Sequence, residues 1–141
     1  MEKSTVTQIK IKARTISKGY ATGELLISYD AISFYGGVDP DTGTVIEKGH
    51  ALEGKSIAGK ILIFPRGKGS TVGSYILYRL KKNNCAPLAI INLKCEAIVA
   101  VGAIISEIPA IDKPEKKLCK LLKDKQQVTV DATNGLLIYN K

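Results

Sequence analysis

Residues 60–82 read KILIFPRGKGSTVGSYILYRLKK. Ile61 to Phe64 are an unbroken apolar run of strand length, so burial on both faces is expected there. After Gly69 the period changes. Val72, Ile76, Leu77 and Leu80 fall at i, i+4, i+5 and i+8, which gives the stretch 71–82 one apolar stripe as a helix. Ser70 or Thr71 suits its N-cap. Lys81 and Lys82 suit its carboxyl end, and Asn83 and Asn84 a left-handed stop. Strand, glycine loop and helix start together make an arrangement that binds anions. The N–H groups of Gly69, Ser70, Thr71 and Val72 are expected to point outward at the positive end of the helix dipole. Arg66 and Lys68 add full charges beside them; Arg66 offers a bidentate grip and Lys68 a point charge.

Upstream, TQIKIKARTI alternates at period two, with Ile9, Ile11 and Ala13 toward the core and Lys10, Lys12 and Arg14 outward. SKGYATG is read as a turn and ELLISYD as a second strand. AISFYGGVDPDTGTVIEKGH is too rich in Gly, Asp and Pro to be regular throughout, and a loop of that length in a small domain is usually functional. Downstream, APLAIINL is another apolar strand. AIVAVGAIISEIPAI is expected to hold two short strands, or a turn and a strand, around Gly102. KPEKKLCKLLKDK reads as a short cationic helix with Leu118, Leu121 and Leu122 on one face. QQVTVDATNGLLIYN reads as a hairpin turning at Asn134-Gly135. The order predicts a mixed α/β domain of sheet layers with helices packed outside.

The chain has 141 residues, which suits one domain over residues 1–141. Tryptophan is absent, so aliphatic side chains must fill the core. Twenty-one Lys and Arg against 13 Asp and Glu leave a net charge of +8, which draws anions without selecting among nucleic acid, an acidic protein surface and a phosphorylated metabolite. The tail has no aromatic residue between Lys113 and Lys125, which counts against stacking on single-stranded nucleic acid. The first 16 residues lack an apolar leader core, and no apolar run is long enough to span a membrane, so a cytosolic protein is expected, with neither nucleic acid nor membrane as a partner. Cys85, Cys95 and Cys119 are odd in number and have no CxxC spacing, so packing roles are expected rather than disulfides or a metal site.

The loop is neither of two familiar phosphate cradles. A Walker A motif with Gly67-Lys68 as its GK pair needs Gly at 62 and Ser or Thr at 69; the chain has Leu62 and Gly69. Glycines 67, 69 and 73 are one residue too widely spaced for a dinucleotide fingerprint. Asp39 and Asp41 are candidate polar contacts to substrate or partner, or turn caps. His50, the single histidine, is read as a surface or partner-contact residue.

Together, FPRGKGSTVGSYILYRL, APLAIIN, AIVAVGAIISEIP and ISFYGGVDPDTGTVIEKGH resemble the swivel domain of the aconitase X family, in order and spacing, from about Lys18 to Asp112. The resemblance implies a swivelling β/β/α domain similar to that of aconitase, and a hydro-lyase whose split form pairs a large catalytic subunit with a small one such as this. It implies that Ser70 is the proton acceptor, with Arg66, Gly67, Lys68, Gly69 and Thr71 as substrate-binding neighbours. It implies no cofactor on this chain and a [4Fe-4S] cluster on the large subunit. The branch matched acts on a phosphorylated hydroxy acid, mevalonate 5-phosphate; a hydroxyproline-like acid is the alternative substrate, and a stand-alone anion-binding module the alternative role. Cys95 and Asn84 depart from the family pattern, which has a small residue such as Ala at the first position and Gly at the second.

Overall fold

A computed structural model describes residues 7–140. The first six residues of the stretch read for a leader lie outside them. Eight strands and four helices follow in the order β1 (Gln8–Lys12), β2 (Arg14–Ser17), β3 (Tyr20–Ile27), α1 (Phe34–Gly37), β4 (Ile61–Phe64), α2 (Gly73–Lys82), β5 (Ala89–Asn92), α3 (Ala97–Ile105), β6 (Ala110–Asp112), α4 (Leu118–Leu121), β7 (Gln127–Asp131) and β8 (Leu136–Asn140). α1 is a single helical turn, broken at Tyr35 and Gly36.

The strands run in the order β1-β8-β7-β3-β4-β5-β6-β2. β3 to β6 are parallel neighbours, whereas β1, β8 and β7 join antiparallel. β3 serves both halves: Tyr20–Glu24 pair with β7 and Leu25–Ile27 with β4. The two outermost strands, β1 and β2, are joined in the chain by Ala13 alone. The sheet must therefore fold back on itself so that the chain passes from one outermost strand to the other through Ala13. Ile11, Ile61, Ile63, Ile91, Val128, Val130 and Leu137 fill the space between the two sheet layers. The opposite face of the parallel strands, with Leu62, Phe64 and Ile90, packs on Ile76, Leu77 and Leu80 of α2 and Val99 and Ala103 of α3. The result is the β/β/α layering that the sequence resemblance implies.

β4 is buried along its whole length, as its continuous apolar pattern requires. The helix read over 71–82 begins at Gly73; Val72 takes the N-cap position and no side chain caps it, so neither Ser70 nor Thr71 is the N-cap as expected, while Asn84 takes the left-handed conformation (φ 59°) that ends its turn. The hairpin at Asn134-Gly135 forms as read. Three further readings are corrected. Residues 97–105 are a helix; their β-branched content argues for strand, but burial of Val99, Gly102 and Ala103 against α2 outweighs it. The segment 20–23 is strand, and only Lys18-Gly19 turn. In α4, Leu118 and Leu122 are buried but Leu121 is exposed, because the helix lasts one turn and Leu122 is already extended.

Candidate functional site at the carboxyl end of the parallel strands

In open parallel sheets ligands gather at the carboxyl ends of the strands. There β4 ends at Phe64 and the chain enters the 65–72 loop. The side-chain amide of Asn92, at the end of β5, donates to the Phe64 carbonyl at 3.0 Å. The N–H groups of Leu93 and Lys94 donate to the Pro65 carbonyl, and Lys113 N–H to the Leu93 carbonyl, so the loops after β4, β5 and β6 are bonded in series. On the other side, Ile32 N–H donates to the Arg66 carbonyl and Lys68 N–H to the Ile32 carbonyl. The loop is thus clamped on both flanks.

Gly67 is buried against Val99, and a Cβ there would meet its Cγ2 at 2.5 Å. Gly69 has φ +90°, a conformation costly for other residues, and a Cβ would lie 2.5 Å from Ser33 Oγ. These two glycines let the backbone turn tightly and deliver Ser70 to the first turn leading into α2. Ser70 is exposed and its Oγ accepts the Val72 N–H at 3.1 Å. The Gly73 N–H donates to the Ser70 carbonyl and the Ser74 hydroxyl to the Thr71 carbonyl. Among the described residues, the N–H groups of Gly69, Ser70 and Thr71 have no protein acceptor; that of Val72 is engaged by Ser70 itself, which corrects the expectation that all four are open.

The two cations differ. Lys68 Nζ pairs with Glu47 Oε2 at 2.9 Å, so its charge is largely matched. Arg66 is exposed and makes no ion pair among the described residues. Glu47 and Ser33 were invisible to sequence reasoning, since no spacing ties them to residues some 20 to 35 positions away. The glycine-rich stretch read as functional reaches this site at its start: a Cβ on Gly73 would lie 3.8 Å from the Tyr35 backbone nitrogen. Asp39 goes elsewhere. Its carboxylate accepts the Asp41 N–H, and the adjoining Pro40 carbonyl accepts from Asn83, at the carboxyl end of α2. Ten helical residues, roughly 15 Å, separate that end from Ser70. Asp39 is therefore a turn cap in this geometry, not brought together with Ser70.

His50 is not at the surface. It is buried, its Nε2 donating to the Ala31 carbonyl and its Nδ1 accepting the Leu52 N–H, which pins the long loop to the chain entering the site. The three cysteines stand apart, in the loop after α2, before α3 and in α4. Burial, and then the neighbouring Asp112, push the Cys95 thiol up to about 11, so it is protonated at neutral pH. Among the described residues no three His, Cys, Asp or Glu side chains are grouped to hold a metal ion. Among the described residues no helix is long and apolar enough to cross a membrane.

Two sheet layers with helices packed on one of them, and a glycine loop that leads from strand to helix, define a swivel-type β/β/α domain, and the chain belongs to the aconitase X swivel-domain family, whose model matches residues 10–139. Among its relatives, the phosphomevalonate dehydratase small subunit of Methanosarcina acetivorans is 62% identical over 129 residues, covering 92% of this chain and 90% of the relative. The protein of the same name from Thermococcus kodakarensis is 54% identical over 127 residues, covering 90% and 93%. The crystal structure of Thermococcus kodakaraensis aconitase X in its holo-form superposes with a TM-score of 0.86 at 53% identity, covering 92% of this chain and 96% of that one.

Proposed function

We propose that this chain is the small subunit of a heteromeric hydro-lyase that removes water from mevalonate 5-phosphate to give trans-anhydromevalonate 5-phosphate, with Ser70 as the base. The name shared by its relatives supports the substrate and the division into subunits. The observation that carries the role of Ser70 is its hydroxyl at the start of α2, accepting the Val72 N–H. The reaction breaks a C–H bond beside a carboxylate and a C–O bond. The C–H electron pair becomes the double bond, the proton goes to the base, and the hydroxyl leaves with the C–O electron pair as hydroxide, which takes up one proton to become water; the base gives its proton back to complete the cycle. A serine oxygen accepts that proton only where its alkoxide form is stabilised. The Val72 N–H and the helix dipole are the groups at hand for that stabilisation, and Arg66, exposed and without an ion pair among the described residues, is available to hold the substrate's carboxylate or phosphate.

The [4Fe-4S] cluster of this reading belongs to the large subunit. Once bound there it would supply Lewis acidity toward the leaving hydroxyl. Ser70 is exposed in this chain, and water at the alkoxide weakens the stabilisation, so the large subunit must cover it. The test is anaerobic reconstitution with the cognate large subunit, following mevalonate 5-phosphate by NMR. Water loss should need both chains, and Ser70→Ala should lower kcat by about 10²–10⁴-fold while the complex still forms. Full activity in Ser70→Ala would remove the base; a complex inert toward mevalonate 5-phosphate would overturn the substrate.

A further inference from the structure

The turn that delivers Ser70 is shaped from outside, by Ile32, Ser33 and Glu47 of the segment between β3 and β4. Lys68 is held by that segment at both ends. Its N–H donates to the Ile32 carbonyl at 3.0 Å, and its Nζ to Glu47 Oε2 at 2.9 Å. The Ile32 N–H donates to the Arg66 carbonyl at 3.2 Å. Ser33 Oγ lies where a side chain on Gly69 would have to go. Gly67 and Gly69 flank Lys68, and glycine leaves a backbone loose unless something holds it.

Glu47 is itself fixed. Its N–H and that of Ile46 share the Gly37 carbonyl, at 3.3 and 2.9 Å, and its own carbonyl accepts the His50 N–H at 3.3 Å. Its second carboxylate oxygen, Oε1, rests over Gly37, where a Cβ would come within 3.3 Å of it. Buried His50 donates in turn to the Ala31 carbonyl, one residue before Ile32. The carboxylate is thus anchored to the same stretch of backbone that bonds the Lys68 amide. The pair does little for the fold: its side chains are 40% and 31% exposed, and ion pairs open to water contribute little to stability. What it removes is the freedom of a long side chain two residues before Ser70. A small displacement of a reacting group is costly in rate.

We infer that Glu47 is a positioning residue for the reaction: through Lys68 it holds the glycine-flanked turn that delivers Ser70, and it touches neither the substrate nor the reacting atoms. The inference rests on the role of Ser70 proposed above and adds a residue on which that role depends.

Kinetics of the reconstituted heteromer test it first. Glu47→Gln should lower kcat about tenfold to a hundredfold, with KM and the melting temperature nearly unchanged. Lys68→Met should do the same. The double variant should be no slower than either single one, because both remove one interaction. Full kcat in Glu47→Gln, or losses that multiply in the double variant, would overturn the inference. So would a rise in KM with kcat kept, which would assign the pair to the grip on substrate. In the chain alone, with no substrate present, NMR should show the Lys68 amide exchanging with solvent about tenfold faster in Glu47→Gln. An unchanged rate would show that the ion pair does not brace the turn. Inertness of the unsubstituted heteromer toward mevalonate 5-phosphate would overturn the reaction proposed above, whereas unchanged exchange overturns the brace, so the two failures are distinct.

Discussion

Asp112 is a fully buried carboxylate at the end of β6, held by two bonds of 2.8 Å from the Arg14 guanidinium and by the Cys95 N–H at 2.7 Å. Burial works to raise its pKa, but the hydrogen bonds from Arg14 and Cys95, with the charges of Arg14 and Lys113, outweigh it, and the carboxyl stays below the usual carboxylate range. A lowered folded-state pKa means that the stabilisation is complete above the unfolded value, about 3.9, and is lost as pH falls through the folded one. Asp112→Asn is therefore expected to destabilise the chain by about 1.5–3 kcal/mol at pH 7, with the gap from the unsubstituted chain closing below about pH 4. Urea unfolding across pH 2–7 measures it; a gap independent of pH would show that the ionised form contributes nothing. Because Arg14 follows the Ala13 link and Cys95 begins the loop into α3, this one carboxylate ties sheet closure to the site end.

At the scale of elements, α2 and α3 touch through Gly102. A Cβ there would meet Leu77 Cδ1 at 2.6 Å and the Ser74 Cα at 3.1 Å, and the second of these is backbone that cannot turn aside. Gly102→Val should cost about 1–3 kcal/mol by overpacking. It should also lower activity of the reconstituted enzyme, since α2 carries Ser70 at its start. Thermal melts and turnover on the same preparation check both. A lower melting temperature with unchanged kcat would show that α2 moves without displacing Ser70. Helix α2 was legible because its stripe is regular and its carboxyl end carries Lys and then Asn. Helix α3 was not: Ile98, Val99, Val101, Ile104 and Ile105 write no clear polar face, and three of them remain exposed. That apolar outer face conceals the helical period from any pattern of polar alternation.

At the scale of the whole molecule, β4 and β5 lie at the centre of the parallel strands, buried on both faces by separate cores. Their amides should exchange most slowly with solvent, while those of the 65–72 loop exchange early. Hydrogen exchange followed by mass spectrometry would show this order. Faster exchange in 61–64 than in 127–131 would place the stable nucleus in the antiparallel layer instead.

The sequence by itself determined the strand–loop–helix unit at 60–82, the buried strand at 89–92, the closing hairpin and the serine at the head of α2. All are local: a period, a cap or a turn residue within ten positions or so sets each. Tertiary structure decided that Ala13 joins the two edges of one sheet, that Lys68 is matched by Glu47, that Asp39 lies at the far end of α2, and that His50 is a buried strut. Each of these depends on residues far apart in the chain meeting as the sheet closes. A one-dimensional pattern records which faces are apolar; only packing chooses which faces meet and which charges remain for a partner.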